Sequence, residues 1–270
     1  MNFRNYADLV RDTMLLAPAL RDVDAIIGVP RSGMLPATIL ACALHKSLAI
    51  PGGPLEHGAR MTAIAQDQCR SVAIVDDSVF TGEAMEFALE MSADMYDEVL
   101  RACVYMKPGS EEHVDHYSVL LDQPRAFEWN LFGSELIKHC LLDIDGVLCP
   151  DPPMPEDDAR AYEDYIASAP VLHRPLNPVT AICTNRIERH RQATEEWLAA
   201  NEIEYGRLYM APFPSARARR AMSTPADLKS VWYDGTKADL LIESHDHIAE
   251  QVAANVGQPV ISVQSWRCFE

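Results

Sequence analysis

Ser71-Val72-Ala73-Ile74-Val75-Asp76-Asp77 is an apolar run closed by two acids, and Cys140-Leu141-Leu142-Asp143-Ile144-Asp145 repeats the device further along the chain. The first leads into Ser78-Val79-Phe80-Thr81-Gly82, the second into Gly146-Val147-Leu148. Short apolar runs bounded by turn residues read as strands buried on both faces, the habit of parallel sheets. Acids at the carboxyl ends of such strands stand where open α/β sheets bind ligands. Two such ends, with different spacing between the acids, point to two separate phosphate or metal sites.

Outward from the first run, residues 25–29 and 99–106 read as strands and 35–46 and 83–95 as helices. Residues 119–121 and 127–131 are shorter strand-like pieces. Ile50-Pro51-Gly52-Gly53-Pro54 breaks the pattern, and a mobile loop is expected from there to Arg70. Outward from the second run, strands at 179–183, 208–210, 240–242 and 260–263 alternate with helices at 159–168, 188–200, 226–233 and 248–255. An acidic, Pro-rich segment, 150–158, precedes the first of these helices. Alternation of this kind predicts an α/β fold, two Rossmann-like three-layer domains with mainly parallel sheets. The expected domains are 1–135 and 136–270. The boundary at 132–139 leaves little linker, so closely docked domains are expected.

The 270 residues are 48% hydrophobic and 23% charged, enough apolar material for a sizeable core. A formal charge of −17 argues against nucleic acid as a partner, since a phosphate backbone needs clustered Lys and Arg. The seven cysteines form no Cys-x-x-Cys pair and no Cys/His metal spacing, which suits a reduced compartment. No apolar run of about 18 residues is present to span a membrane, and Met1-Asn2-Phe3-Arg4 opens no signal peptide. A cytoplasmic protein is the expectation.

Val72 to Ala84, with Asp76-Asp77-Ser78-Val79-Phe80-Thr81-Gly82 at its centre, resembles the phosphoribosyl-pyrophosphate signature of type I phosphoribosyltransferases. The resemblance implies that Asp76 and Asp77 bind ribose hydroxyls, directly or through Mg2+. It also implies that Ser78, Thr81 and Gly82 wrap the 5′-phosphate. Adjacent carboxylates suit a cis-diol, and a small-residue loop opening a helix suits a phosphate. Val29-Pro30-Arg31-Ser32-Gly33 then resembles the family's pyrophosphate loop, with Arg31, Ser32 and Gly33 as contacts. Loop 52–70, carrying His57 and Arg60, is similar to its mobile flap. Phe127-Glu128-Trp129 is similar to its base-binding hood, with Trp129 against the base. Phe80 stands where many purine enzymes carry an acid and Ala84 where a second hydroxyl is usual, which points away from ordinary hypoxanthine or guanine salvage. The resemblance covers roughly residues 20–132. Transferases of this type commonly form homodimers, although the motifs themselves set no oligomeric state.

Leu142-Asp143-Ile144-Asp145-Gly146-Val147-Leu148 resembles the first motif of haloacid-dehalogenase-like (HAD) phosphatases. Residues i and i+2 of a strand point the same way, so both carboxylates can face one substrate. The resemblance implies Asp143 as nucleophile, Asp145 as acid/base, and Mg2+ held by Asp143, Asp145, Glu243 and Asp246. Ala181-Ile182-Cys183-Thr184-Asn185 matches the second motif, with Thr184 on the phosphoryl group. Lys229, chosen over Lys237, matches the third. Asp239-Leu240-Leu241-Ile242-Glu243-Ser244-His245-Asp246 resembles the fourth. Arg186, Arg189 and Arg191 are placed to bind a substrate phosphate or to be exposed helix charges, with Arg186 the chosen contact. Arg217, Arg219 and Arg220 read as a solvated patch. The gaps between these motifs are too short for a large cap, which implies a capless fold with an open site and makes the first domain a candidate lid.

The expectation is therefore a bifunctional enzyme of nucleotide metabolism. It would join phosphoribosyl transfer, from phosphoribosyl pyrophosphate to a nucleobase-like acceptor, with hydrolysis of a phosphomonoester. Two alternatives stand beside it: a first domain that senses phosphoribosyl pyrophosphate or a nucleotide and gates the phosphatase, and a phosphatase of nucleic-acid ends.

Overall fold

The apolar run at 71–79 becomes a strand because both of its faces are covered. Ile27, Val72, Ile74 and Met85 lie in one cluster of buried side chains, and Ile26, Ala73, Val75 and Val104 in another. Burying each such aliphatic side chain contributes about 1.5–3 kcal/mol. The computed structural model describes residues 1–56, 66–156 and 159–270, and divides into two compact units, residues 2–129 and residues 130–270 with Met1.

The first unit contains β1 (Asn2–Arg4), α1 (Tyr6–Thr13), α2 (Ala17–Leu20), β2 (Ala25–Gly28), α3 (Met34–Leu44) and β3 (Ser47–Ala49). It continues with β4 (Ser71–Val79), α4 (Glu83–Ser92), β5 (Glu98–Met106), β6 (His116–Leu120) and β7 (Arg125–Phe127). Its main sheet has the order β3-β2-β4-β5-β6, every pair parallel, and β1 pairs with β7 in a separate two-stranded ladder. The order reverses between β2 and β4, so the loop after β2 and the acids of β4 flank the crevice where such sheets bind ligands.

The second unit contains β8 (Cys140–Asp143), α5 (Ala159–Ser168), β9 (Ala181–Ile187), α6 (Arg191–Ala200), β10 (Leu208–Ala211) and α7 (Ala216–Met222). It continues with α8 (Pro225–Asp234), β11 (Leu240–Glu243), α9 (Asp246–Val256), β12 (Val260–Ser262) and β13 (Arg267–Phe269). The order is β10-β9-β8-β11-β12-β13, parallel throughout except for β13. The order reverses between β8 and β11, which brings the ends carrying Asp143 and Glu243 side by side.

The fold is α/β with mainly parallel sheets, as the alternation of elements predicts. Four local features depart from the sequence expectation. β4 does not stop before its acids; it stays paired with β5 through Asp76↔Cys103 to Val79↔Met106. Of the expected strand 127–131 only Phe127 is extended, as the end of β7, because the partner β1 ends at Arg4 and the chain then coils into a 3-10 helix, Glu128–Gly133. β1, β3 and β13 are three-residue strands, too short to leave a periodic trace. The arginine run forms helix α7, capped by Ser215 accepting from the Ala218 N–H. Among the described residues no helix is long and apolar enough to cross a membrane.

Candidate functional site

Asp76 and Asp77 follow one another on β4 and are both buried. Asp76 Oδ1 accepts from the Asp77 N–H at 2.8 Å. Asp77 Oδ2 accepts from Trp129 Nε1 at 2.7 Å, and the Trp129 ring stacks on Phe127 at 4.9 Å and on Tyr105 at 6.1 Å. Trp129, expected over a base, is therefore hydrogen-bonded to the acid pair. Tyr105 in turn donates to buried Asp12 at 2.9 Å. Burial first, and then the neighbouring Asp77, push the Asp76 carboxyl well above the usual carboxylate range.

The loop after β2 closes on this pair. A Cβ at Gly33 would lie 2.6 Å from Asp76 Oδ1 and 2.6 Å from the Val29 carbonyl oxygen, so only glycine lets the loop approach. Arg31 and Ser32 are exposed or half-buried in the same turn. Ser78, Thr81, Gly82, Phe80 and Ala84 line a cleft of ≈ 160 Å³ together with Asp76. Gly82 opens α4 at φ 81°, and a Cβ there would meet the His113 ring at 2.3 Å. Phe80 is 48% exposed, with Lys107 Nζ 4.4 Å and the Arg125 guanidinium 5.8 Å from its ring centre. His57 and Arg60 lie outside the described residues.

In the second unit the Lys229 ammonium, carried by α8, is buried between two carboxylates. It is 2.7 Å from Asp143 Oδ2 and bonded to Glu243 Oε2. Thr224 and Asp227 form a reciprocal cap at the start of α8. Ser244 Oγ links the acids, donating to Asp143 Oδ2 at 3.2 Å and lying 2.9 Å from Glu243 Oε1. Burial, then Glu243, raise Asp143 well above the carboxylate range against the opposing pull of Lys229. At Glu243 burial acts upward too, but Lys229 and the donors from Ser244 and His245 outweigh it and the net shift is downward.

Asp145 lies just past the end of β8, bridged to Cys149, rather than within the strand. Asp143 and Asp145 nevertheless line one cleft of ≈ 290 Å³ with Arg186, Lys229 and Ser244. Arg186, expected on a substrate phosphate, is buried in strand β9 and pairs with Asp145 through Nη2–Oδ1 at 2.6 Å and Nε–Oδ2 at 3.0 Å. Thr184 is fully buried, its hydroxyl accepting from the Arg186 N–H at 3.2 Å. Asp246, expected on the metal, is held elsewhere: it begins α9, accepts from Ser265 Oγ at 2.7 Å, and its N–H donates to Gln264. Arg189 and Arg191 form ion pairs with Glu163 and with Glu188 and Glu195.

Of the arginines expected in a solvated patch, Arg217 and Arg220 are exposed, whereas Arg219 is half-buried with Nη1 3.2 Å from buried Glu156; Arg219 and Arg220 both line the cleft. Glu156 also accepts from the Ile187 N–H at 2.8 Å. These residues had one legible signal: the arginine run follows β10, on the side of a parallel sheet where ligands bind. Among the described residues no three His, Cys, Asp or Glu side chains converge into a ready metal cage. The oxygen donors of Asp143 and Glu243 still fit Mg2+, which usually takes one or two carboxylates and completes its shell with water and substrate phosphate.

No protein-family model matches the chain. The chain is 28% identical over 123 residues to the orotate phosphoribosyltransferase of Staphylothermus marinus, covering 44% of this chain and 60% of that protein. It thus spans about three fifths of the length of that curated relative. Among solved structures, a purine phosphoribosyltransferase from Pyrococcus horikoshii aligns at 26% identity over 47% of this chain and 92% of that one, with a TM-score of 0.36. A chain of the Pnkp1/Rnl/Hen1 complex aligns at 12% identity over 88% and 94%, also with a TM-score of 0.36. The N-terminal half of this chain resembles the type I phosphoribosyltransferases.

Proposed function

We propose that the chain is a bifunctional enzyme of nucleotide metabolism, with a phosphoribosyltransferase site in the first unit and a HAD-type phosphomonoesterase site in the second. One observation carries the reading. In both units the motif carboxylates stand at the point where a parallel sheet reverses its strand order, and Asp76 in the first unit and Asp143 with Asp145 in the second border a cleft.

In the first unit, Asp76 and Asp77 accept from the ribose hydroxyls of phosphoribosyl pyrophosphate. The 78–84 loop, at the amino end of α4, takes the 5′-phosphate on backbone N–H groups. A ring nitrogen of a nucleobase-like acceptor attacks the anomeric carbon, the bond from that carbon to the pyrophosphate oxygen breaks, and pyrophosphate leaves toward Arg31, Ser32 and Gly33. In the second unit, Asp143 attacks phosphorus while the ester P–O bond breaks, and Asp145 protonates the departing oxygen. Asp145 then takes a proton from water, which hydrolyses the aspartyl-phosphate and releases inorganic phosphate. Lys229 balances charge between Asp143 and Glu243. Mg2+, when bound, would reduce the repulsion between the Asp143 carboxylate and the incoming phosphate.

If the second site acts on the 5′-phosphate of the first product, the chain makes a riboside and pulls transfer forward. The test supplies the protein with phosphoribosyl pyrophosphate, Mg2+ and a metabolite extract, and follows pyrophosphate and phosphate separately in Asp77→Asn and Asp143→Asn variants. Loss of both signals in both variants supports coupling, and independent losses support two separate activities. Persistence of phosphate release in Asp143→Asn refutes the aspartyl-phosphate route. A second reading, in which the first unit binds ligand without transfer and gates the phosphatase, is favoured by Phe80 where purine enzymes carry an acid. It predicts ligand binding with no pyrophosphate released.

A further inference from the structure

Among the described residues Arg186 has the largest of the fully buried side chains, with 1% of its surface exposed. A guanidinium taken out of water must be paired and hydrogen-bonded, or its burial costs several kcal/mol. Among the described residues the partner is a single carboxylate. Nη2 and Nε donate to the two oxygens of Asp145 in a parallel fork, at 2.6 and 3.0 Å. The remaining contacts are structural: Nη1 reaches Thr194 Oγ1 on α6 at 3.4 Å, and Nη2 reaches Cys149 Sγ at 3.4 Å.

The backbone explains why this side chain turns inward. The ladder between β9 and β10 pairs Met210 with Thr184 and then Ala211 with Ile187, so Asn185 and Arg186 fall in an irregularity of the register. Such a bulge re-aims a side chain that a regular strand would direct elsewhere. The Arg186 N–H donating to Thr184 Oγ1 closes the local turn. Asp145, for its part, sits beyond the end of β8 in a loop held by N–H donations from Leu148 and Cys149 to the Ile144 carbonyl. The sheet does not orient its carboxylate. A planar fork with two parallel bonds does.

We infer that Arg186 is a positioning residue that aims the Asp145 carboxyl at the leaving-group oxygen, and is not the contact that binds substrate phosphate. The inference rests on the aspartyl-phosphate reading of this site. In the step concerned, the bond from phosphorus to the ester oxygen breaks as the Asp143–phosphorus bond forms, and the proton on Asp145 passes to the departing alkoxide. A leaving group that is stable as an anion has no need of that proton. The two roles therefore separate by leaving group. A positioning role is felt in kcat for alkyl esters, and a phosphate-binding role in KM for every ester.

The experiment compares a nucleoside 5′-monophosphate with p-nitrophenyl phosphate, in the wild-type chain, Arg186→Met, Arg186→Lys, Asp145→Asn and the Asp145→Asn/Arg186→Met double variant. A positioned general acid contributes about 10²–10⁴-fold. Arg186→Met is therefore expected to lower kcat on the nucleotide by about 10²-fold or more, and on the aryl ester by less than about tenfold, with KM unchanged on both. Arg186→Lys keeps the charge, loses the fork, and falls between; it carries the comparison if the methionine variant does not fold. Adding Arg186→Met to Asp145→Asn is expected to cost nothing further on the nucleotide. Equal losses on the two esters, a rise in KM shared by both, or full additivity in the double variant overturns the positioning role while leaving the phosphatase reading in place. Absence of hydrolysis of either ester by wild type overturns both.

Discussion

Replacing Lys229 by Met tests the centre of the second site through stability alone. The side chains of Lys229, Asp143 and Glu243 are 2%, 6% and 0% exposed, so water cannot stand in for the lost ammonium. Methionine keeps much of the volume, and the change is therefore electrostatic rather than a cavity. Breaking a buried pair by removing one partner costs about 3–5 kcal/mol, because a charge is left uncompensated. For a unit of this size about 1 kcal/mol moves the melting midpoint by about 2–4 °C, so a fall of about 6–20 °C is expected near neutral pH. Its pH dependence follows from the carboxyls left behind. Without the cation both are pushed above their unfolded values by burial and by each other. A group shifted upward contributes its stability below the unfolded value near pH 4 and loses it as pH rises through the folded value. The deficit relative to wild type is thus largest near pH 8 and shrinks toward pH 4. Adding Glu243→Gln removes one of the two stranded charges and is expected to return a substantial part of the loss. Calorimetry of the full chain across this range is the assay. A shift below about 2 °C at neutral pH, or a deficit that stays constant on acidification, refutes the charge-compensation argument.

In the first unit, Trp129→Phe keeps the ring stack and removes the N–H that Asp77 accepts at 2.7 Å; a loss of about 1–3 kcal/mol in denaturant unfolding is expected, and an unchanged midpoint would count against it. Gly82→Ala places a methyl group at φ 81° against the His113 ring, and is expected to lower the first unit's stability by about 1–2 kcal/mol or more while leaving the second transition in place. Glu156→Ala removes the acceptor of the buried Ile187 N–H and the partner of Arg219, with an expected loss of about 1–3 kcal/mol from the second unit's melting transition. Cys149 is pushed up to about 12 by burial and then by Asp145, so alkylation near pH 8 followed by peptide mass mapping should find it unmodified in the folded protein while exposed Cys42 reacts. Equal labelling of the two thiols would contradict that burial.

The acid-ended apolar runs and the alternation around them are local patterns, and they were enough to predict parallel sheets with acids at or just past the carboxyl ends of their strands. A strand buried on both faces must be apolar along its length, so an acid at its end is legible without the rest of the fold. The motif carboxylates Asp76, Asp77, Asp143, Asp145 and Glu243, with Lys229, belong to this class. Phosphate chemistry is proposed from them because those residue types at those spacings suit it. The three-residue strands, the 3-10 turn at 128–133 and helix α7 left too short or too polar a trace.

Tertiary structure alone decided what each charged side chain does once the elements pack. Arg186 and Asp145 are 41 positions apart and meet because β9 lies beside β8 and breaks register at the right place. Trp129 reaches Asp77 from 52 positions away, and Arg219 turns toward Glu156 rather than to solvent. Asp246, the last residue of the stretch that resembles the fourth motif, is held by Ser265 and Gln264. The physical reason is common to these cases. A local pattern records which residues are buried, but a buried charge is satisfied by whichever partner the strand order delivers, and strand order is not a local property of the chain.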